Sequence, residues 1–253
     1  MKLLASRYGR SVNWVRKELR AYEIPTVVAS PCEMIAVIDC VFFGRTSGFL
    51  VVRDPHRRMN MYCVEITTET IAEYQYARNT LEAQGFTLRA VVADGKPGIK
   101  RVFHDLPIQM CHFHQKAIIT KHLTRRPKLQ AGKELRELIK HLCNSEEQWF
   151  THALSEWHIK WQDFLRERTV DLETGHWHYT HKRLRSAYRS LKTNLPYLFT
   201  YKRYPELDIP NTTNSLDGLF AHLKELLRIH RGLKADLKYK IAFAILQNRP
   251  TNL

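Results

Sequence analysis

Three aspartates, far apart in the chain, carry the first suggestion of chemistry. Asp39 interrupts an otherwise apolar run, Met34-Ile35-Ala36-Val37-Ile38-Asp39-Cys40-Val41-Phe42-Phe43. Asp94 ends a second run, Ala90-Val91-Val92-Ala93, just ahead of Gly95 and Pro97-Gly98. Asp217 follows Asn211-Thr212-Thr213-Asn214, a cluster of candidate N-caps, and so falls on the first turn of a helix. A carboxylate in a buried strand is rare unless it is paired or holds a metal. The C-terminal edge of such a strand is where open α/β sheets place ligands. Two neighbouring carboxylates disfavour each other's ionisation until a cation arrives. Hard oxygen ligands acting on a phosphate-bearing substrate suit Mg²⁺ or Mn²⁺. Two such ions roughly 4 Å apart serve phosphodiester displacement. Taken singly, each acid has a plainer account: a local hydrogen-bond network for Asp39, a turn for Asp94, a favourable charge–dipole contact for Asp217. Together they favour the metal.

The flanking pattern predicts the elements that would position them. Met34–Phe43 reads as a strand buried on both faces, with Phe49–Arg53 and Met61–Glu65 as the next two strands of an antiparallel meander. Ile71, Tyr74, Ala77 and Leu81 mark an amphipathic helix closed at Gly85. The strand ending at Asp94 comes next, then a short helix with Ile99, Val102 and Phe103, then the short run Ile108-Gln109-Met110 ending on Cys111, with His114 three positions on. Three antiparallel strands followed by crossover strands is the ribonuclease-H-like layout, which sets Asp39 and Asp94 on neighbouring strands. The helix after Asn214 would bury Leu216, Leu219, Phe220, Leu223 and Leu227 and turn Lys224, Arg228, His230 and Arg231 outward.

The chain has 253 residues and a net charge of +15, from 40 basic and 25 acidic side chains, which points to a polyanion partner, nucleic acid first among them. No run of about 18 apolar residues is present, so no membrane span is expected. The N-terminus reaches Arg7 too soon for a signal-peptide core. Five scattered cysteines suggest a reducing compartment rather than a disulfide framework.

Residues Leu3–Tyr22 read as two short helices around Gly9. Ser11 caps the second, Leu4, Ala5 and Tyr8 form one apolar edge, and Val12, Val15 and Leu19 point inward. Arg16 and Lys17 lie on the outward polar face, which fits a helix-turn-helix. The resulting division is a helix-turn-helix-like segment at 1–24, a linker at 25–33, the first part of a catalytic core at 34–121, a helical insertion at 122–208 and a C-terminal helical part of the core at 209–253. Within the insertion, Leu135, Leu138, Ile139 and Leu142 form one stripe, and Trp149, Phe150, Trp157, Trp161 and Phe164 form others. Its end, Gly175–Tyr204, is basic and aromatic. Lys182, Arg183, Arg185, Arg189, Lys192, Lys202 and Arg203 are candidate phosphate contacts there. Trp177, Tyr179, Tyr188, Tyr197 and Tyr201 are candidate base-stacking rings, at least half of which are expected to pack inside instead. His176, His178 and His181 lack a nearby fourth ligand for zinc.

On three of these segments the chain resembles the DDE-type transposases of bacterial insertion sequences, in particular their mutator-like branch. The segments are Ile38-Asp39, then Ala93-Asp94-Gly95-x-x-Gly98 with Cys111-x-x-His114, and Asn211-Thr212-Thr213-Asn214-x-x-Asp217; together they span about Met34 to Gly232. The resemblance implies an α/β, RNase H-like mixed sheet flanked by helices, with an all-helical insertion before the third acid. It implies metal-dependent cleavage at insertion-sequence ends, followed by attack of the freed 3′-hydroxyl on target DNA, with no covalent protein–DNA intermediate. Asp39, Asp94 and Asp217 would hold two Mg²⁺ or Mn²⁺ ions. Cys111 and His114 would be structural or substrate-positioning, and Trp177 would stack on DNA at the cut end. Lys224, Arg228 and Arg231 would join the DNA contacts. The implied partners are double-stranded DNA, as terminal inverted repeats and as target, and a second copy of the chain, in the bacterial cytoplasm at the nucleoid.

Two departures stand out. The third acid is Asp where relatives usually have Glu, so its helix must sit closer to the metals; Glu225 is a fallback, more than two turns further on. Relatives also carry more DNA-binding sequence upstream, so this chain reads as a truncated copy. The alternatives are a non-catalytic DNA-binding remnant that inhibits the intact enzyme, and an RNase H-like nuclease without strand transfer.

Overall fold

The computed structural model describes residues 1–24, 29–44, 47–229 and 232–247. Two short helices open the chain, α1 (Lys2–Arg7) and α2 (Val12–Ala21), with Ser11 Oγ accepting from Trp14 N as an N-cap. Three strands follow, β1 (Glu33–Phe42), β2 (Gly48–Asp54) and β3 (Met59–Ile66). Helix α3 (Ile71–Ala83), strand β4 (Thr87–Ala93), the single turn α4 (Ile99–Val102) and strand β5 (Ile108–Met110) complete the sheet region. The sheet order is β3-β2-β1-β4-β5. β1 is antiparallel to β2, and β2 to β3, whereas β4 lies parallel to β1 and β5 parallel to β4. The protein is therefore α/β, with a mixed five-stranded sheet flanked by helices.

The central strand reads as unbroken hydrophobicity because both of its faces are covered. Met34, Ala36 and Ile38 pack with α3 and α4 on one side. Ile35, Val37 and Val41 pack on the other, against Leu216, Phe220 and Leu223 of α10 (Asn214–Ile229) and Ala242 and Leu246 of α11 (Ala235–Leu246). Each such buried side chain contributes roughly 2 kcal/mol of transfer free energy. The same alternation fixes the acids. Asp39 has the parity of Ile35 and Val37, and Asp94 that of Ala90 and Val92, so both belong to the α10 face.

Between β5 and α10 lie α5 (His112–Leu123), α6 (Gln130–Lys140), α7 (Glu147–Arg166), α8 (Lys182–Leu198) and α9 (Thr200–Arg203). They bury a second core that includes Leu135, Leu142, Phe150, Leu191 and Phe199. This insertion is not all-helical as expected. A hairpin of β6 (Arg168–Val170) and β7 (Trp177–Tyr179) joins α7 to α8. Thr169, Val170, Trp177 and Tyr179 are strand formers, and Asp171 Oδ1 accepts from the Glu173 and Thr174 backbones to turn the chain.

Two further expectations change. Of Leu4, Ala5 and Tyr8, only Ala5 is buried. The segment expected as a linker is engaged before β1 begins: Cys32 O accepts from Thr87 N, and Pro31 lies against Gly85. Its residues 25–28 lie outside those described. The helix pair is tied to the C-terminal helix by the Arg20–Asp236 ion pair at 2.8 Å and by Lys240 Nζ donating to Arg20 O. Among the described residues, no helix is long and apolar enough to cross a membrane.

Candidate functional site

The parallel strands deliver two acids to one edge of the sheet. β1 and β4 pair Val37 with Val92, so that Asp39, still paired with Val51 of β2, and Asp94, just past the end of β4, each follow the last parallel pair by two residues. The Asp94 turn is tightly built. A Cβ on Gly95 would come within 2.8 Å of Met110 Cε and 3.2 Å of Asn194 Nδ2. Gly98 adopts φ +103°, and a Cβ there would meet Ile71 Cγ1 at 2.6 Å. The glycines of the Asp-Gly-x-x-Gly segment are therefore needed for backbone angle and for close approach.

The third acid arrives on α10, whose first turn is pinned to the start of α5. His112 N donates to Asn211 O at 2.9 Å, and Thr213 N donates to Cys111 Sγ at 3.3 Å. Thr213, expected only as a helix cap, is fully buried; its hydroxyl donates to Asp217 Oδ2 at 3.1 Å and lies 3.4 Å from Cys111 Sγ. So anchored, the shorter acid Asp217 comes within reach of Asp39 and His114. Ligand-capable atoms of Asp39, His114 and Asp217 all lie within 4.8 Å of one another. Asp94 stands outside that set, although its charge is felt by both Asp39 and His114. The compact set is thus Asp-His-Asp rather than three aspartates. The spacing Cys111-x-x-His114 was the available signal: Cys111 precedes the first residue of α5, and His114 falls on its first turn.

Burial dominates the electrostatics. It pushes the Asp39 carboxyl up to about 6; the His114 ring and a hydrogen bond from Cys40 N oppose this, and Asp217 and Asp94 add to it. Asp94 is raised by burial too, against a hydrogen bond from Lys96 N at 3.0 Å. Beside it, Glu69 receives Tyr74 Oη at 2.7 Å and pairs with Lys96 Nζ at 3.1 Å. The neighbouring Cys111 is the largest influence on His114; with the two acids it outweighs burial and raises the ring to about 9. Burial acts against ionisation of the Cys111 thiol, but His114 and Thr213 more than offset it and hold the thiol below its ordinary value. His114 Nδ1 is buried without a hydrogen-bond partner. Two carboxylates and an imidazole within 4.8 Å of one another could hold a divalent cation, the carboxylates suiting Mg²⁺ or Mn²⁺ and the imidazole a softer ion such as Zn²⁺.

The expected DNA contacts divide. Arg16, Lys17, Lys182, Arg189 and Lys224 are exposed. Arg183 instead donates to Lys121 O, and Arg185 to Leu165 O while lying 3.5 Å over the Tyr179 ring. Arg228 pairs with Glu225, which puts that fallback acid in an exposed ion pair with no part in the cluster. Lys202 and Arg203 pair with Glu146 and Glu147. Arg231 lies outside the described residues. Trp177 is half exposed, with Arg168 4.0 Å over its ring. Tyr188, Tyr197 and Tyr201 pack against the insertion core.

The fold and site thus define an α/β protein in which the central strand and the first turns of two helices gather two aspartates and a histidine. No protein-family model matches the chain, and no curated protein sequence matches it. Among solved structures it is similar to a chain in "CryoEM structure of simian T-cell lymphotropic virus intasome in complex with PP2A regulatory subunit B56 gamma". That similarity has 12% identity and a TM-score of 0.26 and covers 68% of this chain and 67% of that one. A likeness of that size defines neither fold nor function.

Proposed function

We propose that this chain is a DDE-type transposase of RNase H-like fold, acting on double-stranded DNA at insertion-sequence ends as a dimer in the bacterial cytoplasm. One observation carries the reading: Asp39 on the central strand and Asp217 on a helix far along the chain approach within 4.8 Å, beside the strand-end Asp94. The strand order, the position of the helical insertion and the charge of +15 support it.

Asp39, Asp94 and Asp217 would hold Mg²⁺ or Mn²⁺; His114, held protonated near neutral pH by Cys111 and the acids, would become a further donor on giving up that proton. The donor set fits, because a cation offsets the burial that raises Asp39. Bound there, the metal supplies Lewis acidity for phosphodiester displacement. The remaining work falls to the chain's own residues. Thr213 orients Asp217 Oδ2 by its hydroxyl, and Cys111 fixes Thr213 from the other side. Lys96 N orients Asp94 Oδ1. Exposed cations of α8 and α10 would hold the DNA phosphates.

The test is purified protein with Mg²⁺ or Mn²⁺ and DNA carrying the repeats that flank its gene. Cleavage and joining that both disappear in Asp39→Asn and Asp217→Asn are expected. Binding without cutting would mean an inhibitory remnant, and cutting without joining a nuclease.

A further inference from the structure

A second concave site lies on the insertion, between α7 and α8. It is a cleft of about 340 Å³ lined by Arg166, Arg185, Arg189, Lys192, His158 and Tyr188, among other residues. No acidic side chain is among its lining residues. Arg185, Arg189 and Lys192 follow one another at i, i+4 and i+7, so one face of α8 presents three cations to the same space. The cleft is preformed. Arg185 is held by Leu165 O at 2.6 Å and by the Tyr179 ring, and Tyr188 stacks on His158 with centroids 4.4 Å apart. Arg189 and Lys192 are exposed and make no ion pair among the described residues. Arg166 has a single loose partner at the rim, Asp163 at 3.5 Å. Burial lowers His158 below its ordinary value, and Lys192 and Arg166 lower it further, so the positive field in the cleft is uncompensated. Like charges gathered without counter-charges oppose folding, and a bound anion relieves them.

The geometry points to this cleft as a phosphate-binding subsite that grips the backbone of a DNA strand at a fixed distance from the acid cluster; this rests on the DNA-processing reading above. The distance follows from α8. Its residue Asn194 abuts the Asp94–Gly95 turn. At 1.5 Å per residue, Lys192, Arg189 and Arg185 lie about 3, 7 and 14 Å back along the axis. One strand of B-DNA carries a phosphate about every 3.4 Å of axis, so the cleft would take phosphates roughly one to four positions from the reacting one. Tyr188 closes the floor as packing, already stacked on His158 and tilted against Trp157.

The experiment is fluorescence anisotropy of a labelled random-sequence duplex of about 30 base pairs, titrated with full-length protein across a salt series. The cleft variant is the double change Arg189→Gln/Lys192→Gln. The control, Lys128→Gln/Lys133→Gln, removes the same charge from exposed positions elsewhere on the insertion. The cleft variant is expected to bind about tenfold more weakly, with a log–log salt slope shallower by about 2, while the control stays near wild type. If wild type binds and the two double variants behave alike, the subsite is overturned and the reading of the acid cluster is untouched. If wild type shows no salt-dependent DNA binding, both fall. Thermal melts of the control are expected to match wild type, and those of the cleft variant to match or slightly exceed it, because the side chains are exposed and the change removes like charges.

Discussion

The acid cluster and the basic cleft are built in opposite ways. The cluster draws on β1, β4, α5 and the start of α10, and its geometry depends on contacts between residues remote in sequence, such as Cys111 with Thr213. The cleft needs two neighbouring helices, and its charged side chains stand in solvent at helical spacing. The lesson is that a site which must place atoms to within a bond length is made of buried, long-range anchors, whereas a site which only has to attract charge can be made locally. Changes near the cluster should therefore be severe, and changes at the cleft graded.

The sharpest way to break that contrast is Asp217→Asn. It is expected to reduce metal-dependent cleavage by roughly 10³-fold, about 4 kcal/mol of barrier, while duplex binding stays at the wild-type level. Glu225→Gln, on the same helix, is expected to leave cleavage near normal, and the reverse pattern in a plasmid-cleavage assay would relocate the third acid. Next in size is Gly98→Ala. A Cβ at φ +103° and 2.6 Å from Ile71 is expected to cost about 3 kcal/mol, read as a lower midpoint in urea. Thr213→Val is expected to slow cleavage about tenfold, with Thr213→Ser restoring it, because the hydroxyl positions Asp217.

The smallest effect lies away from both sites. Arg78 bonds both oxygens of Asp105 at 2.6 Å and holds that carboxyl down at about 2. Since the folded value lies below the unfolded one near 3.8, the pair stabilises above that pH and the gain is lost as pH falls toward 2. Asp105 is almost half exposed, so screening keeps the contribution to about 1 kcal/mol or less. The difference in melting temperature between wild type and Asp105→Asn should be present at pH 7 and shrink by pH 3.

What was legible in the sequence follows the same division. Strand β1 announced itself because both faces are apolar, and the order of strands already set Asp39 and Asp94 on neighbouring strands. The stripe Leu216, Phe220, Leu223 gave α10 its buried side, and Ser11 gave α2 its cap. Periodicity, however, says nothing of which loop meets which. The spacing Cys111-x-x-His114 singled out His114, but nothing in it reveals that His114 meets Asp39 and Asp217 while Asp94 stays outside their compact set. The basic residues were visible as a class, but their partners were not: Arg185 and Arg183 are held by carbonyls, and Arg228 by Glu225. The hairpin β6–β7 hid in a stretch whose neighbours are all helical.

The order in which the cluster's parts occur along the polypeptide sets when it can exist. β1, β4 and α5 leave the ribosome first, and the whole insertion must be synthesised before α10 emerges to bring Asp217 against them. Domains tend to fold as they are made, from the N-terminus onward. A nascent chain therefore carries an open, incomplete cluster until α10 has emerged, and only then can it close.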